Sequence, residues 1–128
     1  MRAVAGAGRS LGYVCAPSLL QHLIERCESL TSDIKVYEKN RDTLTVALRE
    51  YGFTVADAHG AFYLFVKAPY GDGGEFSDTA KTLGLLIVPS EDFGFPGYAR
   101  IAYCQTPEMI ERSLHVWRKL AELYKKRG

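Results

Sequence analysis

The chain has 128 residues, enough for one domain with its own core and too few for two of ordinary size. Hydrophobic residues make up 47% and charged residues 24%, the values of a chain that folds rather than one that stays disordered. With 16 basic and 15 acidic residues the formal net charge is +1, so no global field draws the chain to nucleic acid or to an anionic membrane.

Gly6-Ala7-Gly8-Arg9-Ser10 is glycine-rich and reads as an irregular opening, a cut edge rather than a first strand. Pro17 suits a first helical turn, and Leu19, Leu20, Leu23, Ile24 and Cys27 follow at helical spacing, which predicts a helix over about 17–29. Thr31-Ser32-Asp33 offers a cap for a second, longer helix over roughly 32–51. Its stripe is Ile34, Tyr37, Arg41, Leu44, Leu48 and Tyr51, and Gly52 ends it.

From Phe53 the period changes. Phe53-Thr54-Val55 is strand-like, and the aromatic run Ala61 to Lys67 is a strong strand candidate, with Gly60 before it and Pro69 after. Phe76, Ala80 and Leu83 predict a short helix stopped at Gly84, and Leu85 to Pro89, continuously apolar, reads as a buried strand. Ser90 to Gly97 is expected to be an irregular loop, and Tyr98 to Cys104 alternates as a final strand. Thr106-Pro107-Glu108 then caps a last helix with an apolar stripe of Ile110, Leu114, Trp117, Leu120 and Leu123. This order predicts an α+β fold in two layers, a 3–4-stranded sheet covered by helices on one face, with the long helix at its N-terminal side.

Cys15, Cys27 and Cys104 are odd in number, far apart and without a C-x-x-C pair, which points to a reducing compartment. His22, His59 and His115 are equally scattered and suggest no zinc site. No run reaches the roughly 18 apolar residues of a membrane span, and no segment has the form of a signal peptide, so the expectation is a cytoplasmic protein. Phosphate-loop, nucleophile-elbow and dinucleotide-binding motifs are all missing.

Arg100 most needs explaining, because its neighbours Ala99, Ile101 and Ala102 read as core. Strand alternation allows a plain solvent-face residue. The functional reading is a rigid guanidinium fork, which pairs two N–H donors with the two oxygens of a carboxylate. The loop before it combines Glu91, Asp92, Phe93, Phe95 and Tyr98, and loops of this kind between core strands often carry binding groups. Tyr63 offers a hydroxyl to a ligand, although an aromatic residue in a strand is more often core.

Three blocks, taken together, resemble the C-terminal half of class I/II aminotransferases of the aspartate aminotransferase superfamily. They are Gly60-Ala61-Phe62-Tyr63-Leu64-Phe65, then Leu86 to Gly94, then Gly97-Tyr98-Ala99-Arg100-Ile101-Ala102-Tyr103, followed by the final amphipathic helix. The resemblance implies that Arg100 binds the substrate α-carboxylate and that Gly60, Ala61, Phe62 and Tyr63 line the active-site wall. It also implies that the long helix links a large and a small domain, residues 1–30 being a remnant of the large domain and the interdomain segment and residues 31–128 the small domain.

Such enzymes hold pyridoxal phosphate covalently on a lysine of the large domain and move an amino group between an amino acid and a 2-oxo acid. Lys35, Lys39, Lys67 and Lys81 have none of that lysine's context. The expectation is therefore cofactor in the full-length parent, none on this chain alone, and no activity by the chain itself. Exposed apolar surface on the first 30 residues implies self-association, that is a homo-oligomer. The alternatives are a stand-alone carboxylate-binding or interaction module, and a domain of a pyridoxal-phosphate-dependent lyase or decarboxylase on the same fold.

Overall fold

A computed structural model of the chain describes residues 2–12, 15–27, 31–60 and 62–127. They fall into two units, residues 1–32 and 33–128.

The first unit holds two short helices, α1 (Arg2–Ser10) and α2 (Ser18–Arg26). The glycine-rich opening is thus helical, not irregular: Arg2, Ala3, Ala5 and Ala7 are strong helix formers, and they outweigh Gly6 and Gly8. Pro17 stands at the N-cap of α2 rather than inside its first turn, and its carbonyl accepts from the backbone N–H groups of Leu20 (3.0 Å) and Gln21 (3.1 Å). Ile24 is 69% exposed and Leu19 79%, so the apolar stripe of α2 is real but uncovered.

The second unit begins with α3 (Ile34–Tyr51). Asp33 caps it by accepting from the Lys35 N–H at 3.1 Å, and Gly52 closes it in the left-handed region at φ 99°. Phe53 and Val55 are both buried, but the strand expected there shrinks to one isolated bridge between Val55 and Val66. Then come β1 (Tyr63–Lys67), α4 (Gly73–Thr82, capped by Asp72), β2 (Val88–Pro89), β3 (Tyr98–Ala102) and α5 (Pro107–Arg127).

The three strands form one antiparallel sheet in the order β1-β3-β2. Leu64 pairs with Ile101, Val66 with Ala99, Phe65 with Arg100, and Arg100 also faces Val88 across β2. The fold is α+β, as the order of elements implied, with three strands among the described residues. The buried strand expected at Leu85 to Pro89 is a correction: only Val88 and Pro89 pair, Leu86 is 80% exposed, and Ile87 alone is buried. The segment lies at a sheet edge, where Pro89 without an N–H is tolerated and a long ladder is not needed.

Alternation divides the sheet. Leu64, Val66, Ala99 and Ile101 are buried in one cluster with Leu44 and Leu48 of α3, Phe76 and Ala80 of α4, and Ile110, Trp117 and Leu120 of α5. Phe53 sits with its ring centroid 5.7 Å from both Phe76 and Trp117. Asn40 is the polar residue in this layer. Its side-chain amide donates to the carbonyls of Tyr103 (3.0 Å) and Gln105 (2.7 Å), joining α3 to the exit of β3. The opposite face carries Tyr63, Phe65, Arg100 and Val88, none of them fully buried.

A candidate carboxylate-binding site on the open sheet face

Arg100 occupies the central strand, so its backbone is held on both sides while its half-buried side chain rises from the open face. Two aromatic rings bracket it. The guanidinium carbon lies 4.2 Å from the ring centroid of Tyr63 and 3.7 Å from that of Phe93. Both distances fall well inside the range in which a guanidinium is held by an aromatic face. The ion pairs among the described residues are His22–Glu25, Arg41–Asp42, Arg49–Asp57 and Arg127–Glu75, so no described carboxylate neutralises Arg100.

Further rings continue the surface. Phe62 lies 4.5 Å from Tyr63, Phe95 lies 5.2 Å from Phe65, and Phe95 is 4.5 Å from Tyr98. Phe62, Phe93 and Phe95 remain 39%, 47% and 41% exposed. Of the expected wall residues, Tyr63 stands beside Arg100, Phe62 packs on the Tyr63 ring, Gly60 is exposed ahead of β1, and Ala61 lies outside the described residues.

The loop before β3 is more ordered than expected. It contains a 3₁₀ turn, Glu91–Phe93, and closes on Ser90, which is completely buried. The backbone N–H of Ser90 donates to the Tyr98 carbonyl at 3.1 Å, and its hydroxyl reaches the carbonyls of Phe95 (2.5 Å) and Tyr98 (2.7 Å). Gly73, at the start of α4, packs so closely under the Tyr98 carbonyl and the Glu91 carboxylate that no Cβ fits there. Phe93 was only one of several loop aromatics in the sequence, because a contact across the sheet leaves no spacing signal. Neither Glu91 nor Asp92 pairs with Arg100.

A second polar cluster lies away from this face. Glu75 accepts from the Tyr124 hydroxyl (2.5 Å), from Arg127 (2.8 Å) and from the Thr79 hydroxyl (2.9 Å). The Tyr124 hydrogen bond, with those of Thr79 and Arg127, holds the Glu75 carboxyl below its ordinary range. Burial, with the Glu75 carboxylate as hydrogen-bond partner, pushes the Tyr124 phenol up to about 12. This set ties α4 to the end of α5.

The open-face site has the chemistry of an anion clamp. A charged guanidinium with two aromatic rings against it and no counter-ion among the described residues can offer N–H donors to a planar, two-oxygen acceptor. The described lysines, Lys35, Lys39, Lys67 and Lys81 among them, are all exposed, and none is paired with a carboxylate.

Known proteins match much of the chain. A curated LL-diaminopimelate aminotransferase from Halothermothrix orenii is 36% identical over 84 residues, covering 62% of this chain and 22% of its own length. The solved structure of an amino transferase from Eubacterium rectale superposes with a TM-score of 0.85 at 46% identity, covering 96% of this chain and 31% of that one. An aromatic aminotransferase from Pyrococcus horikoshii superposes at 0.65 with 27% identity, over 71% of this chain and 26% of the other. The chain thus spans between a fifth and a third of the length of these relatives. Its sequence between residues 9 and 116 matches the profile described as aminotransferase class I and II, and with the sheet, the order of helices and the superposition in agreement, the chain belongs to that family.

Proposed function

We propose that this chain is the substrate-carboxylate-binding small domain of a pyridoxal-phosphate-dependent aminotransferase, which transfers an amino group between an amino acid and a 2-oxo acid. Residues 31–128 are the small domain, and residues 1–30 belong to the large domain and the interdomain segment. The observation that carries the reading is Arg100, whose guanidinium stands on the open face against Tyr63 and Phe93 without a described carboxylate partner.

When bound, pyridoxal phosphate would supply the electron sink for the reacting carbon. This chain's residues do something else. Arg100 grips the α-carboxylate and fixes the direction in which the rest of the substrate points, and such positioning removes much of the entropic part of a barrier. Phe62 and Tyr63 form an apolar wall beside the grip, which lowers the local dielectric and strengthens the charge pairing. The chain by itself is inactive, because its lysines are solvent-facing. The uncovered leucines of α2 drive it to associate with itself.

Two measurements test this reading. In the first, the chain is titrated with pyruvate while arginine Nε–Hε signals are followed by NMR, with pyruvamide as the neutral control and Arg100→Gln as the variant. Binding of pyruvate that Arg100→Gln abolishes is expected; equal binding by the variant removes Arg100 from the role. The second is an absorbance scan with added pyridoxal phosphate before and after borohydride. A stoichiometric adduct at one lysine would show that the chain is a catalyst in its own right.

A further inference from the structure

We infer that Phe93 is a positioning residue for Arg100: its ring, carried on a turn locked by Ser90, closes one side of the guanidinium and leaves it able to take a carboxylate only from its remaining edge. The inference rests on the carboxylate-binding reading of Arg100 and adds to it a residue and a direction of approach.

The geometry is specific. Two rings whose centroids lie 3.7 Å and 4.2 Å from one carbon atom cannot occupy the same space, so Tyr63, on β1, and Phe93, on the loop, meet the guanidinium from different directions. An exposed guanidinium on a long side chain samples many rotamers, and each carboxylate it binds must first freeze that freedom. A guanidinium held between rings is already oriented, so less is lost when the second partner arrives.

The placement of Phe93 is not a by-product of core packing. The residue is 47% exposed, and it belongs to no part of the buried cluster. What holds it is backbone. The N–H groups of Phe93 and Phe95 both donate to the Ser90 carbonyl (3.0 and 3.1 Å), and Gly94 turns the chain in the left-handed region at φ 72°. Ser90 thus gathers both ends of the loop through its own N–H, carbonyl and hydroxyl, and the turn between them can present a large ring to solvent and to Arg100 without fraying.

The test uses the whole chain, pyruvate as the probe, and the variants Phe93→Leu, Phe93→Tyr and Arg100→Gln. In the unaltered chain the Arg100 Nε–Hε proton should be displaced upfield by the two ring currents, and Phe93→Leu should remove part of that displacement. Phe93→Leu should also weaken pyruvate binding about tenfold, with a denaturation midpoint unchanged, while Phe93→Tyr restores both the shift and the affinity. Wild-type affinity and an unchanged Arg100 signal in Phe93→Leu would overturn the inference while leaving the carboxylate reading intact. Pyruvate binding that survives Arg100→Gln, or its absence in the unaltered chain, would overturn the carboxylate reading, and this inference with it. A fall in affinity that Phe93→Tyr does not rescue would mean that the ring has no positioning role.

Discussion

The two faces of the sheet are built from alternate residues of the same three strands, yet they have opposite fates. Leu64, Val66, Ala99 and Ile101 are buried beneath α3, α4 and α5, while Tyr63, Phe65 and Arg100, one residue away in each case, stay partly open. The covered face is apolar throughout and is shaped by packing. The open face mixes a charge with aromatic rings, a combination that a core avoids and a recognition surface favours. A strand can thus serve stability with one set of residues and binding with the other, and substitutions on the two faces should separate the two properties.

The largest effect is expected on the covered face. Leu64→Ala should lower the unfolding free energy in urea by about 2–5 kcal/mol, with pyruvate affinity nearly unaltered in the fraction that remains folded. A loss below about 1 kcal/mol would mean that the face is not packed as described. Next in size is Asn40→Ala, which leaves the Tyr103 and Gln105 carbonyls without that donor and should cost about 1–3 kcal/mol in the same measurement.

Phe65→Ala, one residue beyond Leu64 but on the open face, should cost only about 1 kcal/mol through its lost contact with Phe95. If Phe65→Ala costs as much as Leu64→Ala, the division between the faces fails.

The smallest effect concerns pH. Glu75 has a lowered pKa in the folded chain, so its contribution to stability is present above the unfolded carboxyl value of 4.5 and declines as pH falls through the folded value. Tyr124 has a raised pKa, so its contribution is full below pH 10 and declines as pH rises from 10 through about 12. Glu75→Gln should flatten the acid limb of a stability–pH curve and shrink the alkaline one. An unchanged curve would show that this cluster does not tie α4 to α5.

Local patterns announced most of the secondary structure. The stripe of α3, the Asp33 cap and the Gly52 stop are all written within one stretch of chain, and so is the apolar side of α5 with Ile110, Trp117 and Leu120. What failed depended on distant neighbours. Leu85 to Val88 is as apolar as a buried strand, but β2 lies at the edge, so Leu86 and Val88 face outward. The glycine-rich opening misled in the other direction, because alanines within α1 outweigh its glycines. Asn40 went unnoticed because its partners are 63 and 65 residues away.

For the site, the sequence by itself singled out Arg100 as a charge in an apolar strand and, through the three blocks, tied it to a family. It also marked Tyr63 and the aromatic loop as candidates for contact with a ligand. Only the tertiary structure decided which ring stacks on the guanidinium, that Ser90 locks the loop that carries it, and which face of the sheet is left open. Periodicity is a property of consecutive residues and survives in the sequence. A contact between rings on two segments depends on strand order and register, which arise only when the helices choose the face that they cover.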